Sequence, residues 1–442
     1  DRKLFQIDVS NVISSFLMCG TLPKTNLPPI GANDQALFRC RKALDLKAKG
    51  DYAGAQKVMR PLWQRVGDWP NTTGLHPSVA AEVLFCTGIL TSWIGSKNAI
   101  SEANDTAKDL LNESLTYYQA VRDIIMIAAV QIELGYRSWR IGLLDEARLM
   151  FNEALNNLTI DGHRRANALC GLSMVEWSAL RFEESLKILT DSEPLFDRIT
   201  NPTLKGAYHN QMAITLRSLV EPENKVSQLQ RVLNEYKKAA RHFEAAHNKV
   251  FRGALDNNIS CVLRELSRFK EAHAYLDHAR RLTVNAKDKV TTAKVDESRA
   301  QLFIAEGKYS EAESAVKQAV KVFEKSGHHC FLAEALTTHG ITLARLGKIE
   351  LAQFTIQRAI AAADQAGLPK HAGIAALTLI EEIDDLSADM LARTYEQAAE
   401  WLVETQSHAL LLRFRAAGKK LAARLKTPAR IRTTETIFKY RN

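Results

Sequence analysis

Along most of the chain, apolar residues recur at three- and four-residue intervals until a glycine or polar turn breaks the run, and a second such run follows. That pattern predicts amphipathic helices joined as hairpins. The hairpins repeat. Gly307-Lys308-Tyr309-Ser310-Glu311-Ala312 with Ala319 is matched by Gly347-Lys348-Ile349-Glu350-Leu351-Ala352 with Ala359, every landmark displaced by the same interval. One further interval back stand Ser267-Arg268-Phe269-Lys270-Glu271-Ala272 and Ala279. Earlier copies are Gly142-Leu143-Leu144-Asp145-Glu146-Ala147 with Ala154, and Arg181-Phe182-Glu183-Glu184-Ser185. Gly50-Asp51-Tyr52-Ala53-Gly54-Ala55 opens the series. Two copies carry insertions, one anchored near Ala107 and Ser114, the other near Leu233 and Ala240 with Val220 to Lys225 as a longer turn. A degraded ninth copy falls at Ala392 and Ala399.

Twelve positions before the first alanine of each copy lies a further small residue: Ala43, Gly135, Ser173, Ser260, Ala300 and Gly340. Small side chains at two facing positions let the helices of a pair approach closely, and the aromatic or aliphatic residue after the turn fills the space beside them. In their spacing these residues resemble the tetratricopeptide repeat, over roughly Arg41 to Val403. The usual period of that repeat is about 34 residues, whereas here it is about 38 to 40 in the regular copies. Each helix is therefore longer, and the proline that commonly ends a repeat is missing. The resemblance implies an all-α fold, an α-solenoid (a right-handed superhelix) of about nine helical hairpins. More loosely, the body, including Glu82-Val83-Leu84, Gly88 to Ile94, Ala335 to Gly340 and Ala376 to Glu382, is similar to the repeat arrays of bacterial proteins that end in a Fis-type helix-turn-helix. That likeness implies a bacterial regulatory origin. No such DNA-binding unit is expected within the residues up to Asn442, which leaves DNA binding in doubt.

The resulting organisation is a lead and proline-rich linker over 1–34 (Pro23, Pro28, Pro29), the solenoid over 35–405, a capping helix over 406–426 and a basic flexible tail over 427–442. Hydrophobic residues are 46% and charged residues 25% of the 442, with only 21 Gly and 11 Pro, which excludes collagen-like and wholly disordered chains. The net charge of +9 changes the picture only through its location: from Leu411 to Asn442, ten basic residues face the single acid Glu435, so the body is electrically balanced.

The six cysteines are widely separated and include no CxxC, so neither a disulfide framework nor a zinc ribbon is expected, and the expected compartment is a reducing one, the cytoplasm. The longest unbroken apolar stretch runs only from Ile124 to Val130, and no membrane association is expected. Val12 to Cys19 loosely resembles a signal-peptide core behind Arg2 and Lys3. Asp8 and Asn11 interrupt it, and a cleaved or truncated start is the expectation.

No catalytic motif is present, so no enzyme activity, cofactor or metal is expected. Gly340 to Gly347-Lys348 has six intervening positions rather than the four of a phosphate loop, and it runs along a helix. His328-His329-Cys330 reads as a solvated turn, with His339 the one nearby further ligand candidate. The six tryptophans, Trp63, Trp69, Trp93, Trp139, Trp177 and Trp401, read as core or inter-repeat packing.

Stacked hairpins curve and expose the first helix of each pair along an inner groove. Counted from the small residue, positions three before and four after share one face of that helix. They are Asn210 with Arg217 and Asn257 with Arg264, and Asn258 stands beside them. Trp139 and Trp177 hold the later of these two positions in the two preceding repeats. Asn can bond an extended peptide backbone, and Arg can clamp a carboxylate. The expected partner is therefore a protein or peptide, acidic or bound by its C-terminus. Nucleic acid is expected only through the tail, at Arg413, Lys419, Lys420, Arg424, Arg430 and Arg432. The alternative function is the sensory half of a bacterial transcriptional regulator whose DNA-binding element is absent or supplied by a partner.

Overall fold

The computed structural model describes residues 31–98, 100, 102–160, 162–403 and 407–425, and no strand occurs among them. Nine hairpins follow one another in these residues. They are α1 (Ala32–Ala48) with α2 (Tyr52–Met59), α3 (Pro77–Asn98) with α4 (Ala103–Ala120), and α5 (Ile124–Arg140) with α6 (Leu144–Asn157). Next come α7 (His163–Ser178) with α8 (Phe182–Arg198), α9 (Pro202–Ser218) with α10 (Lys225–Ala245), and α11 (Lys249–Glu265) with α12 (Phe269–Asn285). The series ends with α13 (Lys289–Ala305) and α14 (Tyr309–Ser326), α15 (His329–Arg345) and α16 (Ile349–Gln365), and α17 (Pro369–Glu382) and α18 (Ala388–Leu402). A last helix, α19 (His408–Leu425), lies against α17 and α18. The fold is an all-α solenoid.

Each hairpin closes where the small residues stand. Ala43, Ser173, Ser260, Ala300, Gly135 and Gly340 are all buried, as are Ala55, Ala147, Ser185, Ala272, Ala312 and Ala352 across from them. The approach leaves no room for a methyl group: a Cβ at Gly340 would lie 2.2 Å from Ile356 Cγ1. Phe151 shows the same constraint between repeats. Its ring would be 3.0 Å from a Cβ at Gly135 in its own hairpin and 2.3 Å from one at Gly171 in the next. In the copy with the longer turn and in the degraded ninth copy the register differs by one position from the sequence reading, whereas Ala107 and Ser114 are buried as read. Ala239 and Ala398 are fully buried, whereas Ala240 and Ala399 are half-buried. The loops that precede these helices, including the 3₁₀ turn Pro222–Asn224, alter the phase at which each helix starts.

From α10 to α16 helix ends recur at a constant interval, and each is terminated by a residue in the left-handed region: His247, Ser267, Lys287, Gly307, Gly327, Gly347 and Gly367. The bonding is the same whether or not the residue is glycine. Lys308 N–H donates to Phe303 O at 2.8 Å past Gly307, and Arg268 N–H donates to Leu263 O at 2.8 Å past Ser267. A residue with a Cβ adopts this conformation at a cost of about 1 kcal/mol.

The stack winds back on itself, and its second turn meets its first at three helix N-caps that hold equivalent places in successive repeats: Asn248, Asp288 and His328. Asn248 accepts from Phe251 N–H at 2.9 Å and donates from Nδ2 to Ala48 O, at the end of α1, at 2.8 Å. Asp288 caps Thr291 N–H at 3.0 Å with one oxygen and holds Lys97 Nζ, at the end of α3, at 3.3 Å with the other. The His328 ring, whose Nδ1 lies 3.1 Å from Ser326 O, stands close to the Ser96 backbone at the end of α3. Val250 closes on Gly50, where a Cβ would stand 2.9 Å from Val250 Cγ2. The contacts form a polar seam between turns.

Helix α3 is 22 residues long with a mean hydropathy of 1.4 over its most apolar window, so by length and composition it could cross a bilayer. Isolated polar residues interrupt it, which is why no long unbroken apolar run marks it in the sequence. Here 72% of that window is buried in the protein interior, as in a core helix flanked by α1, α2, α4 and α5.

The left-handed positions predict opposite effects at equivalent turns. Ser267→Gly should stabilise the chain by about 1 kcal/mol and Gly307→Ala should destabilise it by about as much, read as shifts in the urea unfolding midpoint.

Candidate functional site

Consecutive odd-numbered helices contact one another from α1 to α9 and from α11 to α17, so they form the inner layer of the superhelix. The position four after the small residue points along this layer, and in four successive helices its side chain reaches the next one. Trp139 Nε1–H donates to Ser178 Oγ at 2.9 Å, and Trp177 Nε1–H donates to Ser218 Oγ at 2.9 Å. Arg217 Nε–H donates to Glu265 Oε1 at 2.9 Å, and Arg264 bonds Gln301. Burial alone would lower the Arg217 pKa, but the Glu265 carboxylate holds it well above the usual arginine value.

This ladder alters the sequence reading of the groove. Arg217 and Arg264 lie on the inner layer as expected, but their guanidinium groups are already engaged between repeats. Asn257 is only 6% exposed, and its Oδ1 is buried without a hydrogen-bond partner. Asn258 donates from Nδ2 to Asn210 Oδ1 at 3.3 Å, bridging α11 to α9. The position three before the small residue thus faces the neighbouring helix more than open space, because the odd helices are in contact.

What the ladder leaves free is a cation. Lys370, near the start of α17, places its ammonium 4.6 Å from the centre of the Trp177 ring and 5.9 Å from that of Phe182. These residues lie five hairpins apart in sequence, so the contact crosses the space the superhelix encloses. Burial pulls the Lys370 pKa below the ordinary lysine range. Among the described residues no carboxylate pairs with it. A desolvated cation on an aromatic shelf is arranged to receive an anionic group.

Beside Lys370 is a second group of polar side chains. His371 Nε2 lies 3.1 Å from Cys330 Sγ and 3.3 Å from Glu334 Oε1, while the other Glu334 oxygen is ion-paired to Lys294. Cys330 is half-buried on the first turn of α15, so the expected solvated turn is instead a contact between repeats. Its partner is His371, on the next inner helix, and not His339. Comparing the starts of successive repeats, His328-His329-Cys330 with Leu368-Pro369-Lys370-His371, places Cys330 and His371 at nearly equivalent positions and was the signal in the sequence for this second group.

Trp69 departs from the expected packing role, being 55% exposed, whereas Trp63 is fully buried. Trp93 carries the Arg140 guanidinium 4.4 Å from its ring centre and Lys47 Nζ at 4.8 Å. In α19, Arg413 donates to both oxygens of Glu381 at 2.8 and 2.7 Å, Lys420 to Ile380 O at 2.6 Å, and Arg424 to Leu386 O at 2.6 Å. Phe414 stacks on Tyr395 with ring centres 4.5 Å apart. These cations fasten α19 over the last hairpin and are therefore not a free polyanion surface. Lys419 is exposed. Arg430 and Arg432 lie outside the described residues.

The His371 group predicts a pH dependence. Burial lowers the imidazole pKa, but the bonds to Cys330 and Glu334 outweigh it and raise the value to about 9. A histidine raised above its unfolded value of about 6.5 contributes stability that is complete below that value and fades as pH rises through 9. Urea midpoints of the metal-free chain should fall between pH 6.5 and 9, and the His371→Gln chain should show a flatter profile over that range.

No protein-family model matches the chain, and no curated protein sequence matches it. Among solved structures, a Rap protein complexed with Competence and Sporulation Factor is 17% identical, with a TM-score of 0.53 covering 77% of this chain and 98% of that one. A signal-transduction ATPase with numerous domains from Pyrococcus horikoshii, carrying a tetratricopeptide-repeat sensor, is 11% identical with a TM-score of 0.50. That match covers 84% of this chain and 55% of the ATPase, so this chain spans about half of that protein. With the hairpin series, the buried small residues and these likenesses together, the chain has the fold of a tetratricopeptide-repeat solenoid.

Proposed function

We propose that this chain is a helical-repeat scaffold that binds a protein or peptide segment in the space enclosed by its inner helices, with binding and not catalysis as its activity. The observation that carries the reading is Lys370: an ammonium without an ion-pair partner among the described residues, held against Trp177 and Phe182 from five hairpins away. A carboxylate from an acidic side chain or a chain terminus would complete that cation, and the tryptophan face would take an adjoining apolar group. The ladder from Trp139 to Gln301 holds the inner wall in shape, so the wall is preorganised before a ligand arrives. The Rap protein that shares the fold is known in complex with a factor, which supports a binding role for such a scaffold. Five free cysteines among the described residues, three of them buried, are in keeping with a reducing compartment.

The test is selection of binders to the full chain from a library of random linear peptides, followed by affinity measurement on Lys370→Ala and Trp177→Phe, with folding checked by circular dichroism. Selected peptides should be enriched in Asp, Glu or a free C-terminus, and each variant should bind them about tenfold more weakly. Peptides without that enrichment, bound equally by both variants, would place the binding surface elsewhere.

A further inference from the structure

We infer that Cys330, Glu334 and His371 form a binding site for a single zinc-type divalent cation on the inner layer of the superhelix. Three ligands of this kind, a thiolate, an imidazole and a carboxylate, are those zinc accepts. Their placement follows from the repeat. Cys330 and Glu334 are one helical turn apart on one face of α15, and α17, the equivalent helix of the next hairpin, brings His371 to that face.

The donor atoms converge on a point. Sγ, Nε2 and one carboxylate oxygen all lie within 4.8 Å of one another. Zinc bonds of about 2.0 to 2.3 Å in a tetrahedron set a nitrogen and an oxygen about 3.3 Å apart and a nitrogen and a sulfur about 3.6 Å apart. The Nε2 to Oε1 separation is 3.3 Å and the Nε2 to Sγ separation is 3.1 Å, so on both sides of the imidazole the ligand atoms stand within about half an ångström of that spacing, and Sγ and the carboxylate oxygen, within 4.8 Å of each other, close around the ion as it binds. One imidazole nitrogen serves both neighbours. In a nucleophile, base and orienting-acid relay the carboxylate would bond the other ring nitrogen, Nδ1, so this arrangement is a cluster of ligands around a centre and not such a relay.

The surroundings suit an ion. Lys294 holds the outer oxygen of Glu334, which leaves Oε1 turned towards His371 and fixes the carboxylate orientation. Cys330, Glu334 and His371 are each half-buried, so an ion can enter from the enclosed space and a fourth position remains for water or a ligand group. Cys330 binds as the thiolate, and its proton passes to solvent. Lys370, next to His371, puts the proposed ion beside the proposed peptide-binding cation, but the two proposals fail separately because metal binding needs no peptide.

The experiment uses the full chain, reduced and stripped of metal. It is titrated with Zn²⁺ against a chromophoric chelator, and then with Co²⁺ while the absorption spectrum is recorded. The chain should take up one tight equivalent of Zn²⁺, and the cobalt form should show a thiolate-to-metal charge-transfer band with the intense visible bands of four-coordinate cobalt. Cys330→Ser should remove the charge-transfer band, and His371→Gln should weaken Zn²⁺ binding more than about 100-fold, beyond what loss of an outer partner costs. Cys261→Ser, a control on another partly exposed thiol, should change neither. A cobalt spectrum of the unmodified chain without the charge-transfer band would overturn the proposal whatever the variants do. A band that survives Cys330→Ser, or His371→Gln binding equal to that of the unmodified chain, would also overturn it.

Discussion

The architecture of this chain rests on how closely two helices approach where only a glycine, alanine or serine stands between them. At Gly340 and Gly171 the facing side chain occupies the space a methyl group would need, and the rest of each hairpin is positioned around that contact. Overpacking such a point costs about 1 to 3 kcal/mol, so the spacing is set by exclusion and not by any strong attraction. With turns evenly spaced from His247 through Ser267, Lys287 and Gly307 to Gly367, the same contact is reproduced at a constant displacement. Constant displacement is what makes a superhelix.

Two sets of polar bonds convert that superhelix into a defined enclosure. Along the inner layer, the ladder from Trp139 to Gln301 couples each first helix to the next. Between turns, Asn248 and Asp288 each satisfy a helix N-terminus and a group on the first turn with the same side chain. A cap is worth about 1 kcal/mol and a hydrogen bond about as much, so a single Asn contributes to both local and long-range order. The seam brings the N-terminal hairpins against the sixth to eighth, and the winding it fixes also sets Lys370 opposite Trp177. The site and the seam are therefore consequences of one geometry.

The hairpins were legible in the sequence because helix period and repeat period are properties of neighbouring residues. The small positions from Ala43 to Gly340 are buried where the spacing put them. The second alanine was misplaced by one position in the copies at Ala240 and Ala399, where loops of unusual length precede the helix and shift its phase. Less of the site was legible. Arg217 and Arg264 were located on the inner layer, but their pairing with Glu265 and Gln301 depends on the distance between successive hairpins, which a single repeat does not encode. The contact of Lys370 with Trp177 depends on the pitch of the superhelix, a property of many hairpins at once. The Cys330 and His371 pair was within reach, since the two stand at nearly equivalent places in adjacent repeats. The tail charges Arg413, Lys420 and Arg424 carry no mark in the sequence that distinguishes a cap from a polyanion surface; only the seating of α19 on α17 does.

The central claim is that the two turns touch and so enclose the binding space. Spin labels at Lys49 and Lys249, exposed residues beside the bond from Asn248 to Ala48, measure this directly by electron–electron distance spectroscopy. The account predicts one short, narrow distance in the full chain that broadens when Asn248 is changed to Ala. A long or broad distribution in the unmodified chain would mean that the turns stand apart, and it would contradict the account.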